Sequence, residues 1–294
     1  MDELVSTIVP VCNKGEYLAP SKERLAYIDT LRGIGIILVI LGHVYEVPSF
    51  IHDAIYGFHM PLFFVISGFL YNITYHNASP TIAYIKKRAK NYLLPYYLFA
   101  FINLGLLIVW NRFLLHKNTD FAQIIHYVNG ILCCYSDMLH MPNCTPIWFL
   151  MSLFFASILF RWMLRSFRKH TWIAFVGSML IGYTLSFLTD QRVPLKLDTV
   201  FMAVFFMFVG FWIRQKDLLK APLWICVIGL PGLVLGSWNP VGMNENSYGN
   251  LLVFLPASLS VIYSLMLICS QGFLCRSTIL RRLGKHSLLI VGFN

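Results

Sequence analysis

Three ionisable residues, Asp29, Arg32 and His43, occur in or beside the first long apolar stretch of the chain. Such residues are costly inside a membrane helix and usually have a function there. Eleven residues separate Arg32 from His43, which at about 100° per residue is close to three full turns, so both share one helix face about 16 Å apart. Asp29 precedes Arg32 by one turn, at ion-pairing distance. One helix is thus predicted to present a cation at its mouth and a proton-accepting imidazole at depth.

The composition indicates which elements position these residues. Of the 294 residues, 57% are hydrophobic and 12% are charged, whereas soluble domains carry about 25% charged residues. The apolar runs lack the alternation of a β-barrel, and backbone amides in lipid must be hydrogen-bonded internally. The sequence therefore predicts an all-α, polytopic transmembrane helical bundle.

We predict about nine membrane spans, the last of which is truncated because the chain ends a few residues into it. An amphipathic helix at residues 121–134 is expected to lie on the outer interface, between the third and fourth spans. The predicted spans are 34–50, 55–73, 92–110, 146–162, 171–189, 198–214, 221–238, 249–270 and a ninth from about residue 286.

The net charge of +10 follows membrane topology and is not the footprint of a nucleic-acid-binding protein. When the loops are assigned alternately to the two sides, 19 of the 23 basic residues fall on one side and 4 on the other. Because basic residues accumulate on the cytoplasmic side, we expect a cytoplasmic N-terminus. The lipid bilayer is an expected partner and nucleic acid is not.

Residues 24–71 read RLAYIDTLRGIGIILVILGHVYEVPSFIHDAIYGFHMPLFFVISGFLY. With its Arg-x10-His spacing, this stretch resembles the first helix pair of the membrane-bound acyltransferase family 3. It is especially similar to the fucose 4-O-acetylase-related subgroup, through YIDxLRG, LGH and YxFHMPLFFxxSG. Two later segments resemble the family more loosely, PIWFL at 146–150 and LGKHSLLI at 283–290.

The resemblance implies an enzyme, an O-acyltransferase of the bacterial inner (cytoplasmic) membrane. It implies transfer of an acetyl or similar acyl group from cytoplasmic acyl-CoA to a sugar hydroxyl. The acceptor would be a cell-surface glycan or its lipid-linked precursor. Acetyl-CoA is expected as a co-substrate, with no permanently bound cofactor.

Within this reading the catalytic candidates are His43, Arg32 and Asp29. His43 is the expected base, because a hydroxyl is a poor nucleophile at neutral pH; it is alternatively a transient acyl carrier or a cap for a buried polar network. Arg32 holds a CoA phosphate or orients His43, or it is an ordinary interfacial arginine. Asp29 fixes Arg32 or is a solvated acid at the helix start.

The donor-binding candidates are Arg32, Lys87, Arg88 and Lys90. The family often has Arg-x-x-Arg before its third helix, but here Asn91 follows Arg88 at that spacing, so the cation that meets the phosphates is undecided.

Two further residues are candidates for binding the acceptor sugar. His59 contacts the sugar or caps the helix before Pro61, and Trp148 stacks on a sugar ring or anchors the helix at the interface. No metal site is expected, since the seven cysteines form no zinc-like cluster with histidine.

Residues 1–23 form a polar lead, and residues 24–294 form the predicted acyltransferase domain, which we expect to be incomplete at its C-terminus in view of the truncated last span. Residues 4–18, LVSTIVPVCNKGEYL, weakly resemble the first strand and turn of family 2 nucleotide-sugar glycosyltransferases. No Asp-x-Asp motif follows, so the segment is a chance similarity or a remnant.

Two alternatives to the enzyme are a glycan transporter or flippase without covalent chemistry, and an inactive fragment. The Arg-x10-His face favours the enzyme, and the lack of inverted repeats disfavours a transporter. The sequence names neither the sugar, the hydroxyl, the acyl chain nor the oligomeric state.

Overall fold

The computed structural model describes most of the chain from residue 22 onward, and its regular secondary structure there is helical, as the composition predicts. Residues 1–21, including the 4–18 segment, lie outside the described residues. The side chains of residues 22–25 and 145 are also outside the description. The described ranges are 22–44, 46–73, 79–117, 119–137, 139–141, 145–188, 193–271, 274 and 277–293.

We number thirteen α-helices within these ranges. A π-helical turn, Ala89–Leu93, joins α4 to α5, and a 3-10 segment, Leu223–Ile228, leads into α10. The helices are α1 Lys22–Gly42, α2 Ser49–Tyr56, α3 His59–Phe69, α4 Thr81–Arg88, α5 Leu94–Phe113, α6 Phe121–Cys133, α7 Trp148–Ser166, α8 Thr171–Leu188, α9 Leu197–Gln215, α10 Gly229–Ser237, α11 Leu251–Gln271, α12 Thr278–Lys285 and α13 Ser287–Gly292.

Six helical segments of the described chain are long and apolar enough to cross a membrane. The polytopic class is therefore confirmed, while the number nine stays a prediction. The six segments are Ser49–Phe69, Thr81–Phe113, Trp148–Ser166, Thr171–Leu188, Pro194–Gln215 and Leu251–Gln271.

The predicted bounds of the first two spans, 34–50 and 55–73, are wrong. The first helix begins at Lys22 and ends at Gly42, and the next crossing starts at Ser49. Gly42 is the last residue of α1, and Pro48 precedes α2 in an extended conformation with φ −54° and ψ 139°. His43 consequently lies directly after the last residue of α1 and not inside a membrane helix.

Two helices, α3 and α9, approach each other through a reciprocal pair of glycines. A Cβ atom added at Gly68 would overlap the Met207 carbonyl, and one added at Gly210 would overlap the Val65 carbonyl. Small residues allow such close helix approach in membranes, where apolar burial does not drive helices together.

A second reciprocal pair joins α1 to α12. A Cβ atom at Gly33 would overlap the Leu280 carbonyl, and one at Gly284 would overlap the Asp29 carbonyl. The Ser277 hydroxyl caps α12 by accepting from Leu280 N at 3.3 Å. The glycine of the LRG motif thus has a packing role, which is independent of the neighbouring arginine.

One end of the bundle is held by arginines that bind main-chain carbonyls. Arg161 at the end of α7 donates to Ser79 O at 2.6 Å, and Arg214 at the end of α9 donates to Phe69 O at 3.0 Å. This end, where α3, α7 and α9 finish and α4 begins, is called the basic end below.

The glycine contacts predict a large effect of a single methyl group. Gly210→Ala should destabilise the protein by about 1–3 kcal/mol, because overpacking forces backbones apart. Gly105→Ala in α5 is the matched control, since its Cβ would meet nothing within 4 Å, and it should leave stability unchanged or raise it by up to about 1 kcal/mol. Thermal unfolding of both variants in the same detergent measures the difference. Equal melting temperatures would contradict the assigned crossing.

Candidate active site

A cavity of about 610 Å³ opens at the end of the bundle opposite the basic end. It lies where α1 ends and where α3 and α7 begin, and this region is called the cavity end below. Its volume falls within the range of about 300–1,000 Å³ that is usual for small-molecule sites. The lining includes His43, His52, Tyr56, His59, Met60, Phe63, Ser136, Asp137, Trp148, Phe149, Met243, Asn244, Glu245 and Val291.

His43 is exposed at the wall of this cavity. Its Nδ1 lies 2.7 Å from the Val39 carbonyl oxygen. Because a carbonyl only accepts, this contact assigns the proton to Nδ1 and leaves Nε2 with its lone pair. In the neutral imidazole, Nε2 is therefore the nitrogen that can accept a proton.

Tyr56 lies among three histidines of the same cavity. Its ring stacks on His52 at 4.0 Å between centroids, meets His59 edge-on at 4.9 Å and lies 6.2 Å from His43. Gly42 permits this packing, because a Cβ there would lie 2.9 Å from the Tyr56 ring. The glycine before His43 thus brings the tyrosine to the imidazole.

His59 is almost completely buried, with 3% of its surface exposed. Its Nδ1 lies 2.9 Å from the Ile55 carbonyl, so it has the same tautomer as His43. Its side chain bonds a carbonyl of α2 and also lines the cavity, while contact with a sugar stays a prediction.

Trp148 forms part of the cavity wall but is 4% exposed. The Lys196 ammonium lies 5.9 Å from its ring centroid and donates to the Asn244 carbonyl at 2.8 Å. The Asn244 amide in turn donates to the Ser136 carbonyl at 2.9 Å. Trp148 is therefore covered by the network of Lys196, Asn244 and Ser136, and little of its ring surface is exposed for stacking.

Two carboxylates face the same cavity. Asp137 accepts from Nδ1 of His140 at 2.7 Å, and His140 stacks on His126 at 4.5 Å behind it. Glu245 accepts from the Asn244 amide at 3.0 Å. The cavity end therefore combines carboxylates and imidazoles.

The predicted donor-binding residues lie elsewhere. Arg32 and Asp29 form the expected ion pair, 3.8 Å between Nη1 and Oδ1. Arg88 donates to the Tyr92 hydroxyl at 3.0 Å and lies over Tyr84, 4.9 Å from its ring centroid. Among the described residues, the structure brings His43, His59 and Trp148 together at one cavity. The lining of that cavity does not include Asp29, Arg32, Lys87, Arg88 or Lys90.

Sequence reasoning missed several cavity residues. His52 and Tyr56 precede the predicted His59 by seven and three residues, helical spacings that place all three on one face. Ser136, Asp137, Asn244 and Glu245 come from two distant loops, and no pattern in the sequence joins those loops.

Cys134, two residues before Ser136 of the cavity lining, is not suited to nucleophilic chemistry. Burial raises the pKa of the Cys134 thiol to about 11, so very little thiolate exists at neutral pH.

The fold and the site define a class: a polytopic helical membrane protein with a cavity that is lined by histidines and carboxylates. The family model described as "Acyltransferase domain", acyltransferase family 3, matches residues 25–290, and the chain belongs to this family of membrane acyltransferases. The resemblance noted in the sequence is thereby confirmed.

One curated relative is the nodulation protein NolL of Sinorhizobium fredii (strain NBRC 101917 / NGR234). It is 39% identical over 72 residues, which are 21% of this chain and 20% of the relative. The match thus spans about a fifth of the relative's length. No solved structure matches the chain.

Exposure distinguishes the two cavity histidines chemically. Diethyl pyrocarbonate acylates unprotonated imidazole nitrogens, so His43 should be modified several-fold faster than the buried His59. Peptide mass spectrometry after timed exposure in detergent measures both rates in one sample, with His170, which is exposed at the basic end, as an internal reference. Equal rates at His43 and His59 would contradict the burial described above.

Proposed function

We propose that the protein is an O-acyltransferase that moves an acetyl group from acyl-CoA to a sugar hydroxyl. The acceptor is a cell-surface glycan or its lipid-linked precursor, and the enzyme works in the bacterial inner membrane with its N-terminus in the cytoplasm. The observation that supports this most directly is the His43 imidazole, with an unprotonated Nε2, at a cavity of about 610 Å³.

The reaction needs one proton transfer in each direction. Nε2 of His43 takes the proton of the acceptor hydroxyl as its oxygen attacks the thioester carbonyl carbon. The tetrahedral intermediate then expels the CoA thiolate, which receives the proton from the imidazolium. The products are the sugar ester and free CoA thiol, and the imidazole returns to its starting state.

The cavity lining is suited to a sugar acceptor. Amide and carboxylate groups at Asn244 and Glu245 can bind hydroxyls, while Phe63 and Phe149 supply apolar ring surface beside them. This mixture of apolar lining with a few directed polar groups is typical of small-molecule sites. His59 bonds the helix backbone through Nδ1, so its Nε2 is the atom that we assign to the acceptor.

The donor phosphates require cations, and these are concentrated at the basic end. Lys87 and Lys90 are exposed there, whereas the Arg88 guanidinium is engaged with two tyrosines. We therefore assign phosphate binding to Lys87 and Lys90 together with Arg32, and a tyrosine-packing role to Arg88. Asp29 holds Arg32 through their ion pair.

This assignment separates the phosphates from the base. Arg32 precedes His43 by eleven residues on α1, about 16 Å of helix, so the pantetheine arm of CoA must bridge that distance. α12 packs on the same part of α1 at Gly33. The arm therefore has to pass beside α12 to bring the thioester to the cavity.

His43→Gln should retain fold and abundance but lose acyl transfer. Glutamine keeps a hydrogen-bonding group near Val39 O but takes no proton, so the rate should fall by about 10²–10⁴-fold, the usual scale of general-base catalysis. Mass spectrometry of surface glycans from cells that carry each variant measures the product. His170→Gln, at the other end of the bundle, is the matched control and should acylate normally.

The same experiment separates the alternatives. Near-normal acylation by the His43→Gln variant would show that His43 is not the base. A wild-type chain that changes glycan export without any acyl difference would instead favour the transporter. A wild-type chain without either effect would favour the inactive fragment.

Acetyl-CoA should reach the enzyme from the basic end, which faces the cytoplasm in the proposed topology. In inverted membrane vesicles, whose cytoplasmic face is outward, added acetyl-CoA should support acylation, because its phosphates meet Lys87 and Lys90. In right-side-out vesicles it should not. The Lys87→Gln/Lys90→Gln variant should raise the Michaelis constant for acetyl-CoA and leave turnover nearly unchanged.

Arg88→Gln serves as the comparison, since it should lower thermal stability more than donor affinity. An unchanged Michaelis constant in the double-lysine variant would remove the phosphate assignment. Equal activity in both vesicle orientations would contradict the proposed topology.

A further inference from the structure

A second, separate groove runs along the outer face of α7. It has a volume of about 570 Å³ and is lined by residues of α4, α7 and α9. None of its residues lines the cavity that contains His43. Most of the wall is apolar, formed by Ile85, Phe155, Ile158, Leu159, Trp162, Leu197, Val200 and Phe201.

Two arginines and a threonine stand at one end of this groove. Arg161, Arg165 and Thr81 belong to its lining, and they lie at the basic end. Arg165 reaches the Thr81 hydroxyl at 3.4 Å. An apolar groove with guanidinium groups at one end matches an amphiphile that has an apolar tail and an anionic head.

The Arg161 guanidinium group has two nitrogens that make no hydrogen bond among the described residues. The residue is 3% exposed, and its Nη2 donates to the Ser79 carbonyl at 2.6 Å. Its Nε and Nη1 find no hydrogen-bond partner among the described residues, and the Tyr84 ring, 4.4 Å from its guanidinium carbon, covers one face. A buried guanidinium with unused donors calls for an acceptor, and a phosphate oxygen is one.

The length of the groove indicates the size of the tail. From Phe155 to Arg165 along α7 is ten residues, or about 15 Å of helix. This is half of the roughly 30 Å hydrocarbon core of a bilayer. The α7 part of the groove therefore matches the depth of one leaflet, which is the depth that one phospholipid acyl chain occupies, and the groove continues along α9 to Leu197.

We propose that this groove is a binding site for one anionic phospholipid of the leaflet at the basic end. The phosphate is held by Arg161 and Arg165 with the Thr81 hydroxyl beside it, and one acyl chain lies against α7. Charge complementarity selects an anionic over a zwitterionic headgroup, because the net positive headgroup site gains little from a lipid that carries its own ammonium. The proposal is independent of the acyl-transfer reaction.

Native mass spectrometry of the full chain, released from nanodiscs of equal phosphatidylglycerol and phosphatidylcholine, tests the proposal. The wild type should retain one phosphatidylglycerol in clear preference to phosphatidylcholine. Arg165→Gln should reduce that retention at least several-fold, and Ile158→Trp, which fills the apolar part while leaving both arginines, should do the same. Arg168→Gln, an exposed arginine at the same end that is not in the groove lining, should retain the lipid normally.

Each other outcome overturns the proposal. Equal retention of both lipids, or normal retention by Arg165→Gln and Ile158→Trp, would show that the groove selects no anionic lipid. Preferential retention of palmitoyl-CoA in a competition sample would identify an acyl-CoA site instead. A dimer that Ile158→Trp dissociates would identify a second copy of the chain as the occupant.

Discussion

The close contact of helix backbones at glycine residues, which have no side chain, is the constraint on which the cavity depends, because it fixes the helices that carry the cavity residues. Gly68 and Gly210 bring α3 and α9 into backbone contact, and Ser152 of α7 bonds Thr199 of α9 at 2.9 Å. These contacts set the relative heights of three helices. Since His59, Trp148 and Lys196 stand at or next to the starts of those helices, the same contacts place them at one level. Lipid supplies no hydrophobic force between helices, so such contacts are what holds the arrangement.

The position of His43 just beyond α1 gives it a chemical advantage over a position inside the helix. In a continuing α-helix, its own main-chain N–H would bond the Val39 carbonyl. Here that N–H donates to the Ile40 carbonyl at 3.0 Å in a tighter turn. The ring Nδ1 donates instead to the Val39 carbonyl at 2.7 Å. One hydrogen bond thus satisfies a carbonyl at the helix end and also selects the tautomer with a basic Nε2.

The helical class and the polar residues of α1 could be predicted from sequence because they rest on local composition and helical periodicity. The end of α1 could not be predicted from hydropathy, since Val44 and Val47 continue the apolar run. The helix ends at Gly42, and glycine is the residue most easily accommodated at a helix end. The loop residues Asp137 and Glu245 reach the cavity through tertiary packing alone, about which their local sequence carries no signal. In contrast, helical spacing predicts that His52 and Tyr56 share a face with His59.

Electrostatics supports a division of the proposed substrates between the two ends. Asp137 and Glu245 face the cavity, so several phosphate charges placed there would be repelled by like-charged carboxylates. A neutral sugar hydroxyl meets no such repulsion and gains hydrogen bonds. The lysines and arginines of the basic end attract the phosphate charges of the acyl donor instead. The thioester is the uncharged end of an acyl-CoA, so it is the one part of the donor that the cavity would accept, and transfer at His43 is then the point at which the two substrates can meet.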